Sequence, residues 1–77
     1  MREQATLLGF EYSHKGCPCI GSPIIYKKII GGRIYQLFIW EKRDAWRLST
    51  SGTKLASGNS SDLTPKINEI WDLFKMS

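Results

Sequence analysis

From Ile24 to Ser57 the chain reads as a series of strands joined by tight turns, and from Leu63 onward the apolar spacing lengthens to that of a helix. Ile24-Ile25-Tyr26-Lys27-Lys28-Ile29-Ile30 is rich in β-branched residues, which favour extended backbone. Gly31-Gly32 follows, and Arg33 to Glu41 is a second apolar and aromatic run. Two strands separated by Gly-Gly predict a hairpin, because both turn residues must reach positive φ. Within the second run, Ile34, Phe38 and Trp40 point one way and Tyr35, Leu37 and Ile39 the other. Apolar character on both sides predicts a central strand. Lys42-Arg43-Asp44 is a polar turn into a third strand, Ala45 to Thr50, with Trp46 and Leu48 on one face and Arg47 and Ser49 on the other. Ser51-Gly52 predicts another hairpin turn, and Thr53 to Ser57 a short fourth strand anchored by Leu55.

The two ends read as helices. Ala5 and Leu8 share a face, with Gly9 where a left-handed C-terminal cap belongs, so a short helix opens the chain. Phe10-Glu11-Tyr12 alternates as either a short strand or an extended exit, and Ser13 to Pro23 is a loop punctuated by Gly16, Pro18 and Gly21-Ser22-Pro23. Leu63, Ile67, Ile70, Trp71 and Phe74 form one apolar stripe at helical spacing. Thr64 before Pro65 is the expected cap, with an earlier start near Ser61 as the alternative. The predicted fold is α+β: a four-stranded antiparallel meander, a C-terminal amphipathic helix packed on one face, and a short N-terminal helix.

At 77 residues there is room for one domain, taken as residues 1–77, and none for two lobes around a cleft. A hydrophobic fraction of 42% is that of an ordinary globular chain rather than a disordered one. Glu3 and Gln4 stand where a leader peptide would be basic and then apolar, and no uncharged apolar run approaches the ~18 residues of a membrane span. The two cysteines provide no secreted disulfide framework. A cytoplasmic protein with no membrane partner is therefore expected.

The net charge of +4 is unevenly spread. From Lys15 to Lys54 there are eight bases (Lys15, Lys27, Lys28, Arg33, Lys42, Arg43, Arg47, Lys54) and two acids (Glu41, Asp44), or +6; the flanks carry three bases and five acids, or −2. If the C-terminal helix covers the Trp46 and Leu48 side, Arg47 faces aromatic residues of the central strand on the opposite side, with Tyr35 as the candidate stacking platform. Basic groups interleaved with aromatics on an open sheet suit phosphates and bases together. The expected nucleic-acid-binding set, for DNA or RNA, is Lys27, Lys28, Arg33, Tyr35, Lys42, Arg43, Arg47 and Lys54. The simpler alternative is a solvated face whose charges keep edge strands from aggregating.

Catalysis finds little footing. The only histidine is His14, and Glu3, Glu11, Glu41, Asp44, Asp62, Glu69 and Asp72 are scattered along the chain. No nucleophile elbow, phosphate loop or dinucleotide fingerprint is present, so neither enzymatic activity nor a cofactor is expected. His14, Cys17 and Cys19 together provide three soft ligands, one short of a structural zinc site, and the Cys-Pro-Cys spacing is tighter than the usual zinc hairpin. The expectation is that they bind no metal and that the cysteines fix the loop as small docking residues, with His14 exposed. Lys15 beside them gives a reactive thiol as a further option.

Gly16-Cys17-Pro18-Cys19, Gly21-Ser22-Pro23 and the hairpins ending in Trp46-Arg47-Leu48 resemble a group of small uncharacterised phage or prophage proteins, over roughly residues 9 to 71. That resemblance implies no biochemical activity to carry over. Three strands followed by a helix also resemble sheet-reading DNA-binding domains, the plant ethylene-response type and the phage integrase arm-binding type, at the level of fold alone. A second functional class stays open: a small phage-type structural or interaction subunit. With only one helix on the sheet, Tyr35, Leu37 and Ile39 would need cover from the N-terminal segment, a protein partner or a second copy in a homo-oligomer.

Overall fold

The structure, a computed structural model, describes residues 1–76, with side chains described through Leu73. Helix α1 (Arg2–Leu7) leads into strands β1 (Glu11–Lys15), β2 (Ile24–Ile30), β3 (Arg33–Trp40), β4 (Ala45–Thr50) and β5 (Thr53–Gly58), and helix α2 (Leu63–Met76) closes the chain. The strands form one antiparallel sheet in sequence order, so every pairing is local. The architecture is α+β as expected, with five strands instead of four.

The added strand is β1. Glu11 and Tyr12 pair with Lys27 and Tyr26, and after a bulge at Ser13, His14 and Lys15 pair with Ile25 and Ile24. Its start matches the short-strand alternative for Phe10-Glu11-Tyr12, but it runs on to Lys15 and joins the sheet: every β1 side chain except half-buried Ser13 is exposed, and an edge strand held by backbone bonds needs no apolar alternation. The hairpin turns follow the sequence. Gly31 and Gly32 both take positive φ (58° and 79°), and Ser51 and Gly52 do the same (51° and 78°), the geometry that matches the twist of the flanking strands.

Register places Tyr35, Leu37 and Ile39 of β3 opposite Thr50, Leu48 and Trp46 of β4, so all of these side chains share one face. Both helices cover that face. The core joins Ala5 of α1, Phe10, Tyr26, Tyr35, Leu37, Ile39, Trp46, Leu48, and Leu63 and Ile67 of α2, with Leu8, Ile24, Ile30, Ala56, Ile70 and Trp71 packed around it. Trp71 stacks on Phe10 at 5.9 Å and meets Tyr35 edge-on at 5.6 Å. The helical stripe is therefore confirmed through Trp71; the Phe74 side chain lies outside the described residues. The concern that Tyr35, Leu37 and Ile39 lacked cover is corrected, because they lie on the same side as Trp46 and Leu48.

Two local expectations also change. Helix α2 starts at Leu63, so Pro65 sits within its first turn, where no N–H is required, and the Thr64 hydroxyl bonds Gln4 Oε1 at 2.8 Å, tying α2 to α1 instead of capping α2. Leu55 is no anchor. A bulge between Leu48 and Ser49 brings Ala56 opposite Leu48 and Lys54 opposite Ser49, and leaves Leu55 39% exposed. Chemical denaturation should separate the two leucines. Leu37→Ala removes a fully buried side chain and is expected to cost about 2–5 kcal/mol, whereas Leu55→Ala should stay within about 1 kcal/mol.

Candidate functional site

The sheet face opposite the helices carries the mixture of charge and aromatic surface. Across it, register aligns one row from Glu11 through Lys27, Gln36 and Ser49 to Lys54, and a second from His14 through Ile25, Phe38 and Arg47 to Ser57. Trp40 opposite Ala45 begins a third. Phe38 and Trp40, two residues apart on β3, stack with ring centroids 6.0 Å apart and planes 23° from parallel. The Arg47 guanidinium lies 4.8 Å from the Phe38 centroid and 5.6 Å from that of Trp40, and Arg43 lies 5.3 Å from the Trp40 centroid. Cation–π attraction of this kind contributes about 0.5–1 kcal/mol at exposed sites and fixes where a long side chain rests.

One end of this face is not bare. The loop from Gly16 to Pro23 folds over it, closed by Gly16 N–H donating to the Pro23 carbonyl at 2.6 Å, with Pro23 buried. Its Ile20 carbonyl accepts from Trp40 Nε1 at 2.6 Å and from Arg43 Nη2 at 3.4 Å. Gly21 sits against the same indole: its φ of +88° suits glycine, and a Cβ there would lie 2.9 Å from Arg43 Nη2 and 3.2 Å from Trp40. Cys19, Ile20, Gly21, Trp40, Arg43, Ala45 and Arg47 together line a shallow groove of ≈ 540 Å³.

The expected binding residues do not all converge. Arg43, Arg47, Lys27 and Lys54 share the uncovered face or its rim, although Lys27 has Glu11 directly across the strand pair. Lys42 lines a neighbouring hollow with Lys15, Glu41 and Arg43. Arg33 starts β3 and Arg43 follows its end, so the two lie at opposite ends of the sheet, about 25 Å apart along an extended strand. Two assignments are corrected. Lys28 faces the helices: its Nζ donates to the Leu8 carbonyl at 2.9 Å and lies 5.4 Å from the Trp71 ring centre. Tyr35 is 4% exposed within the core and offers no stacking platform. Phe38 and Trp40 are the aromatic residues that accompany Arg47. The signal for them was the register: Trp46 opposite Ile39 puts Arg47 opposite Phe38.

The cysteine loop is organised by backbone, not by burial. Cys17 and Cys19 are both exposed free thiols, which corrects the docking role expected for them. The Cys17 carbonyl accepts from the N–H groups of Ile20 and Ser22, each at 3.1 Å, and its Sγ accepts from Cys19 N–H at 3.3 Å. The exposed His14 pairs through Nδ1 with the Ser13 hydroxyl at 2.9 Å. No group of three or more His, Cys, Asp or Glu side chains among the described residues is arranged to hold a metal ion, and no described helix is long and apolar enough to cross a membrane. Comparison with family models, with curated proteins and with solved structures finds no match.

The two thiols are inequivalent. Hydrogen bonding from the Cys19 thiol, and then from its backbone N–H, holds Cys17 below the ordinary thiol range; the same thiol–thiol contact, with desolvation, holds Cys19 above it. Near neutral pH more of Cys17 is thiolate, the form that reacts. Limited alkylation with iodoacetamide followed by peptide mass mapping should label Cys17 first, and Cys19→Ala should slow Cys17 by withdrawing its main hydrogen-bond donor. Equal labelling of the two would contradict this assignment.

Proposed function

We propose that this chain is a non-enzymatic binding module that engages nucleic acid through its uncovered sheet face. The observation that carries the reading is the row Arg47, Phe38, Trp40 and Arg43, in which two guanidinium groups are parked against two stacked rings. Lys54 extends the positive charge toward the β5 edge, Lys42 lies in a neighbouring hollow beside Glu41, and Glu11 offsets Lys27 at the β1 edge. Guanidinium groups are matched to phosphate oxygens, and ring faces beside them suit bases. The carboxylates support a binding role over catalysis, since all seven are exposed except half-buried Asp62. Glu41 is occupied with Arg2 at 3.9 Å.

Fluorescence anisotropy with labelled mixed-sequence DNA and RNA tests the reading. Binding should be measurable in low salt, and each contacted phosphate should steepen the fall by about 0.7–0.9 log unit per tenfold rise in salt. The double substitution Arg43→Ala, Arg47→Ala is expected to abolish most of the affinity, whereas Arg33→Ala, at the far end of the sheet, should change little. No binding at tens of micromolar in low salt overturns the proposal.

A second reading is a small phage-type structural or interaction subunit, and its interaction part draws support from a different part of the same face. Ile29 and Ile34 pair across β2 and β3, 62% and 51% exposed, and form an apolar patch beyond the charged row. Light scattering over a concentration series separates the cases. A dimer dispersed by Ile29→Lys would favour the interaction role, and a monomer at high concentration would argue against homo-oligomerisation.

A further inference from the structure

Resting on the reading above, we infer that the ligand of the uncovered face is single-stranded nucleic acid, with its bases laid against the Arg47, Phe38, Trp40 and Arg43 row and its phosphates on the flanking cations. The dimensions decide against a duplex. Five strands span four inter-strand spacings, about 19 Å, whereas the B-DNA major groove is about 12 Å wide and admits a helix or a two-stranded ribbon. An undistorted B-form duplex lying on this face presents its phosphate backbone ahead of its base edges. A single strand exposes bases and phosphates together, and planar groups stack on aromatic rings and on guanidinium planes alike.

Position within the face agrees. Phe38 lies on the central strand of the sheet with Arg47 as its direct cross-strand partner, and Trp40 and Arg43 continue the surface to the end of β3 that the Gly16–Pro23 loop covers. The loop carrying Cys19, Ile20 and Gly21 walls one end, making the surface concave beside Trp40 and Arg43. A shallow surface bounded by the loop at one end, too wide to enter a groove and floored by rings and guanidinium groups, fits one flexible strand. Lys54, on the row adjacent to that of Arg47, continues the positive charge toward the β5 edge, about 7 Å away along the strand direction. Charge complementarity thus supports a polyanion, and the rings select one with accessible bases.

The test compares four probes in low salt: labelled oligothymidylate, labelled oligouridylate, a DNA duplex of equal length, and inorganic polyphosphate as competitor. The single strands should bind about tenfold or more tightly than the duplex, and Phe38→Leu, which keeps apolar bulk and removes the ring, should weaken single-strand binding by about fivefold or more while leaving competition by polyphosphate unchanged. Circular dichroism of Phe38→Leu confirms that the fold persists. If duplex binds as tightly as single strand, or Phe38→Leu leaves single-strand binding unchanged, this inference fails while the broader nucleic-acid reading survives. If none of the nucleic acids binds, both fail.

Discussion

Strand β3 is apolar on both faces, while the described helices cover only one side of the sheet. The first face is closed by α1 and α2, whose Ala5, Leu63 and Ile67 are fully buried against Leu37, Ile39, Trp46 and Leu48. Burying such side chains contributes roughly 1.5–3 kcal/mol each, and a small domain has few others to draw on. The second face has no helix. It is managed by stacking Phe38 on Trp40, laying Arg47 and Arg43 over them, and folding a loop across one end. The candidate site is what that arrangement leaves facing solvent.

The cations accordingly fall into two groups. Lys28 and Arg2 serve the fold: Lys28 bridges the α1 terminus to Trp71, and Arg2 donates to the Tyr26 hydroxyl at 3.3 Å while approaching Glu41. Their aliphatic stems and heads join elements distant in sequence. Arg43 and Arg47 instead lie over ring faces, Arg43 also donating to the Ile20 carbonyl at 3.4 Å and Arg47 with its Nε buried and without a hydrogen-bond partner. Net charge alone did not distinguish these groups; the sidedness of the sheet did.

The cysteine loop links the fold to the candidate site. Cys17 organises it through its carbonyl and sulfur, and the loop presents the Ile20 carbonyl to Trp40 and Arg43. The Gly16–Pro23 segment that carries both cysteines is a turn that fixes one wall of the groove. Its thiols are exposed because the backbone does the holding.

Residue pattern by itself determined the turns, the central strand, the C-terminal stripe and the α+β class, because these depend on local φ requirements and on periods of two and 3.6 within one element. It also placed Phe38 and Trp40 on the side of β3 opposite Tyr35. What it left undecided was which side of β3 joins Trp46 and Leu48, since that depends on a register set by the Glu41–Arg43 turn and the left-handed Asp44 after it. One residue of slip exchanges the faces, so Tyr35 and Phe38 trade core for surface on that choice alone. Strand β1 was legible only in part: Glu11 and Tyr12 fall within the short strand that the Phe10-Glu11-Tyr12 alternation offers, but Ser13 to Lys15 are held by backbone pairing, which leaves no mark on side-chain pattern. The fate of Lys28 depended on two helices meeting over β2, a contact between segments far apart in the chain. Only the tertiary structure brings those segments together, and so only it separates the cations packed under the helices from those on the uncovered face.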